Sequence, residues 1–272
     1  MLRKLLKYEF AATARYLLPL LALLFVMSVA ASLSIRALMS GYTGRVASVF
    51  AAIFVVLFFL SVMALAAVTV VVVIYRFYKN LLCAEGYLMH SLPVSVHGLI
   101  WSKLIAAVCW FTVTSVCIYG CVFAVAFRAE VWAQVLSELK TLIERLSAAY
   151  GIGAHELLSV LLEFIVLLLL GSFSSCLLFY ASLTIGHSFS RNRLLASAGV
   201  FMVLCILSQL LTMLLAVATG YRLHGFVSVL DLRALAQFGH ALLIGGIALN
   251  AAYCVVLYWV TARMLGRRLE LE

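Results

Sequence analysis

Six long apolar blocks divide this chain, at about 16–35, 46–75, 101–127, 157–185, 194–219 and 241–262. A helix needs ~20 apolar residues to cross the hydrocarbon layer of a bilayer, and each block meets that length. Within the blocks apolar positions are continuous rather than alternating, and strands of a membrane barrel are short and alternate, so strands are excluded. The second, third and fourth blocks are long enough to tilt or to continue beyond the bilayer as helix. Pro19 and Pro93 are the chain's two prolines. Pro19 is expected near the start of the first span, where a helix tolerates it best. The pattern predicts an all-α membrane protein with six transmembrane helices in one domain, 1–272.

The polar stretches between the blocks are not uniform. In residues 1–14, Leu2, Leu5, Leu6 and Phe10 fall on one helical face, and Arg3, Lys4 and Lys7 on the other. This predicts a separate amphipathic helix lying along the membrane interface. The stretch 76–100 is also amphipathic. Phe77, Leu81, Leu88 and Leu92 share a face, whereas Lys79, Asn80, Gly86 and His90 lie away from it. Gly86 weakens a single continuous helix. The expected form is an extension of the second span, a break near Gly86, and a short helix from Tyr87 to about Leu92. Pro93 ends it, Ser95 caps the next helix, and Trp101 and Lys103 sit at the interface as aromatic anchor and snorkelling cation. In 128–156, Val135, Leu139, Leu142 and Leu146 repeat at helical spacing before Gly151 and Gly153, which predicts an amphipathic helix on the opposite membrane face.

Composition fixes the solvent. The chain is 67% hydrophobic and 11% charged, against roughly a quarter charged in soluble domains. The net charge of +9 comes without a basic run interleaved with aromatics, so it reads as membrane-edge charge and lipid contact, with no nucleic acid implied. Of the 19 Lys and Arg residues, twelve fall on the side holding both termini and 76–100, and seven on the other. The first side is therefore expected to be cytoplasmic. The first block is span-length and is expected to be retained rather than cleaved as a signal peptide.

Glu85-Gly86-Tyr87-Leu88-Met89, Leu92-Pro93-Val94-Ser95, Leu99-Ile100 and Lys103 together resemble the type-2 class of ATP-binding-cassette (ABC) transporter permeases. Arg76 to Leu82 and Tyr8-Glu9-Phe10 are similar to a Gram-positive bacterial branch of that class; Cys83-Ala84 departs from it, since that branch more often has Gly-Asp there. The motif covers about a tenth of the chain, and the six-span layout extends the likeness over its length. The resemblance implies a coupling helix at Glu85, Gly86, Tyr87, Leu88, Met89, His90, Ser91 and Leu92, with Pro93, Ser95 and Lys103 forming the turn behind it. It implies cytoplasmic ATPase subunits as partners, carrying ATP and Mg, and a second permease chain, identical or different, in a bacterial cell membrane. From the residues alone, the same segment also suits the membrane surface.

Other chemistry is thin. No Gly-Lys dipeptide occurs, so this chain has no Walker A phosphate loop and is not expected to be an enzyme or to hold a cofactor. Seven cysteines include no Cys-x-x-Cys, so no metal site is expected. Gly171-Ser172-Phe173-Ser174-Ser175 lacks the Gly-x-Ser-Gly turn of an intramembrane serine protease and fits close helix packing instead. Glu163, inside the fourth span, faces either the bundle, near a substrate path, or the outer interface. Gln209 and Asn250 are weaker candidates for the same path, and both suit bonds across helices. The expected function is export of a hydrophobic or amphipathic substrate, peptide, drug or lipid-like. An intramembrane lipid- or peptide-modifying enzyme and a membrane scaffold or sensor are the alternatives.

Overall fold

The computed structural model describes residues 2–39, 44–81, 96–126, 134–138, 140–141, 143–144, 154–189, 192–224 and 232–267. Six long helices carry most of them: α1 (Leu2–Met39), α2 (Arg45–Leu81), α3 (Val96–Ala126), α4 (Ala154–His187), α5 (Arg193–His224) and α6 (Leu232–Arg267). Each contains a stretch long and apolar enough to cross a membrane, and no strand occurs among the described residues. The protein is a multi-pass, all-helical membrane protein. The β-branched run Val68 to Ile74 is helical too. In hydrocarbon an unpaired strand edge has no water to satisfy it, so the self-contained hydrogen bonding of a helix overrides β propensity.

Two expectations change at the N-terminus. Residues 2–39 form one unbroken helix, so the basic first turns do not form a separate element ending near residue 14. Nothing between Tyr8 and Tyr16 breaks a helix, since neither Gly nor Pro occurs there. Pro19 consequently lies in the helix interior rather than near its start. The missing N–H leaves a carbonyl one turn earlier without its helical partner, a loss membrane helices tolerate through local adjustment.

The chain divides into two compact units. The first comprises residues 1–76 and 101–138. Its core follows a seven-residue rhythm: Leu17, Leu24 and Ala31 on α1 and Ala51, Phe58 and Leu65 on α2 are buried. A strict heptad marks a seam of interlocking side chains. Leu24, Ala31, Phe58 and Leu65 join Cys121 of α3 in one cluster, and the Ser28 hydroxyl donates to the Cys121 carbonyl at 3.4 Å. Glu9 and Thr13 continue the buried α1 face toward the N-terminus. The amphipathic segment 128–156 is helical at 134–138, 140–141 and 143–144, and its other residues before Ala154 lie outside the described set.

The second unit comprises residues 77–100 and 139–272, and in it α4 packs on α5 and α6, and α5 on α6. Here small residues govern the spacing. Gly186 near the end of α4 lies so close to Ser197 of α5 that a Cβ would collide with the Ser197 backbone. Gly245 and Gly246 of α6 face Leu215 and Leu167. Helices in lipid associate through packing rather than water exclusion, so close backbone approach is their main source of cohesion. Phe179 stacks on Phe201 with centroids 5.1 Å apart, and the Tyr253 hydroxyl donates to the Leu204 carbonyl at 3.2 Å. The α4–α5 turn closes with Asn192 at φ 60°, a left-handed conformation Asn tolerates better than most residues.

Candidate functional site

Residues 82–95 include Glu85, Gly86, Tyr87, Leu88, Met89, His90, Ser91, Leu92, Pro93 and Ser95, all of which lie outside the described residues. The flanks of that segment are described, and each unit fastens both of them.

In the first unit the fastening is electrostatic. Glu9 of α1 accepts from Arg76 Nε at 3.0 Å and from the Lys103 ammonium. Arg76 closes one flank and Lys103 opens the span beyond the other. Glu9 is 7% exposed and Lys103 4% exposed, whereas the Arg76 side chain keeps 19%. One carboxylate between two cations has enough lone pairs for both, and charge-assisted bonds of this kind are roughly twice as strong as neutral ones. Burial removes the solvent screening that makes surface pairs weak. The expected snorkelling role for Lys103 gives way to this one: the ammonium is enclosed and meets Glu9. Trp101, two residues earlier, is 42% exposed.

In the second unit the fastening is aromatic. Phe77 and Leu81, the first members of the predicted apolar face, are fully buried. Phe77 stacks on Tyr180 of α4 with centroids 3.9 Å apart and planes 9° from parallel. On the other flank, His97 at the start of α3 meets Tyr258 of α6, with Nδ1 2.7 Å from the hydroxyl oxygen. Leu99 and Ile100 are buried beside it in sequence.

The three intramembrane candidates do not form one site. Glu163 of α4 faces α6, where His240 Nδ1 lies 3.0 Å from each carboxylate oxygen. Asn250 lies farther along α6 and its amide oxygen takes a weak contact from Cys254 Sγ at 3.8 Å. Gln209 is exposed on α5 and meets neither of them. His240 is not among the expected site residues; one histidine in an apolar run gives no periodic signal. Glu9 is legible only as part of a resemblance, because its partners are 67 and 94 residues away. No group of three or more potential metal ligands forms among the described residues. Comparisons with protein-family models, with curated proteins and with solved structures give no significant match.

Proposed function

We propose that this protein is the membrane-spanning permease subunit of a bacterial type-2 ABC exporter, in which a separate ATPase drives the spans through residues 82–95. The observation that carries the reading is the double fastening of that segment's flanks. Within the first unit Glu9 of α1 accepts from Arg76 and Lys103, and within the second Phe77 stacks on Tyr180 of α4 and His97 meets Tyr258 of α6. The absence of a Gly-Lys dipeptide supports placing ATP and Mg on a partner chain. In this reading both termini and 82–95 are cytoplasmic, and a second permease chain, identical or different, completes the pathway. ATP binding closes the ATPase pair, displaces the Glu85–Leu92 helix and shifts the spans between inward- and outward-open states. The cargo is hydrophobic or amphipathic, in keeping with a pathway walled by apolar helices.

The test is co-purification in mild detergent, with the retained material assayed for Mg-dependent ATP hydrolysis. The wild-type chain retains an ATPase. Leu88→Asp, which puts a charge on the anchoring face, loses it while still inserting into the membrane. A wild-type preparation without ATPase, or retention undiminished by Leu88→Asp, overturns the proposal.

A further inference from the structure

Glu163 takes no part in fastening residues 82–95, and its surroundings differ from those of Glu9. It lies a little over one turn inside the apolar stretch Leu158–His187, and His240 sits at the edge of the stretch Gly239–Gly266. A carboxylate offers about four lone-pair positions. His240 Nδ1 lies 3.0 Å from both oxygens, so a single ring N–H is shared between them. Among the described residues no other donor reaches Glu163. The Glu163 and His240 side chains retain 20% and 28% exposure, so the remaining accepting capacity is open to a ligand. Beside it on α4, Val160, Leu162 and Phe164 present exposed apolar surface. An ionisable side chain at membrane depth is costly, and such residues mark ion or substrate paths.

We propose that Glu163 recognises the cationic head of an amphipathic ligand, with His240 orienting the carboxylate until an ammonium or guanidinium group arrives. Such a head brings several N–H donors to lone pairs that one imidazole leaves unfilled, and its tail lies along the apolar α4 surface. A neutral or anionic amphiphile has no donor set to offer and gains nothing there. The inference takes its physiological meaning from the transport reading. The site itself belongs to this chain, so binding is measured without the ATPase.

The experiment uses the full chain in phosphatidylcholine nanodiscs, with tritiated octylammonium as probe and octanol as neutral control, each corrected for empty nanodiscs. Octylammonium binds saturably and octanol does not. Glu163→Gln weakens binding about tenfold or more, the loss expected for a hydrogen-bonded charge. Glu163→Asp keeps the charge and stays within about threefold of wild type. His240→Gln, whose amide can still donate to the carboxylate, stays within about threefold of wild type. Absence of saturable binding, equal binding by Glu163→Gln, or a loss in His240→Gln or Glu163→Asp matching that in Glu163→Gln overturns the proposal and leaves a helix-to-helix latch. Leu88→Asp keeps octylammonium binding, so failure at this site and failure of the ATPase reading are separable.

Discussion

Glu9 and Glu163 are both carboxylates in apolar helices, and the two units treat them in opposite ways. In the first unit Glu9 is enclosed and lies between two cations drawn from other helices. In the second, Glu163 is half-buried and shares one imidazole nitrogen between its oxygens. The first unit uses charge as a structural joint. The second achieves cohesion through glycine contacts and ring stacking, and its Glu163–His240 pair is left with spare capacity. A buried ion is therefore not by itself a sign of function, since its partners decide whether any chemistry is left over.

That contrast is sharpened most by Glu9→Gln. The substitution keeps the shape but removes the carboxylate that Lys103 and Arg76 share. Breaking a buried pair from one side costs about 3–5 kcal/mol, so thermal unfolding in nanodiscs should show a large drop or a collapse of folded yield. A melting temperature near wild type breaks the comparison. The next effect belongs to Gly186→Ala, which forces α4 away from the Ser197 backbone. Overpacking of this kind costs about 1–3 kcal/mol. Gly171→Ala, where a Cβ meets nothing within 4 Å, is the matched control and leaves the melting temperature unchanged or slightly raised. The smallest effect is that of Glu163→Gln on stability. Polar contacts between membrane helices average about 0.6 kcal/mol, so its unfolding curve should nearly overlay wild type even though its ligand binding changes.

Much of this architecture is legible in the sequence, for a physical reason. Spans are set by local apolar length, and each of the six blocks falls on one helix of the structure. Local patterns misplace the elements whose fate depends on more distant residues. Residues 2–14 carry an amphipathic pattern, but with no breaker before Tyr16 the same helix simply continues. Lys103 has the position of an interfacial cation, and only tertiary packing brings Glu9 to it across 94 residues. Periodicity puts Phe77 on an apolar face, yet its stacking partner Tyr180 lies far along the chain, beyond the reach of any local pattern. The Glu163–His240 pair joins residues 77 apart and leaves no periodic or compositional trace.

The reach of Glu9 also bears on how the chain is made. The ribosome adds residues in order, so this carboxylate emerges well before Arg76 and longer still before Lys103. Until the second hydrophobic segment leaves the insertion machinery, the acid has neither cation of its finished joint, and its buried partner Lys103 arrives only with the third. A nascent chain halted short of Arg76 would carry the acid without either cation of the finished joint, and one halted between Arg76 and Lys103 would carry it with only the more exposed of the two.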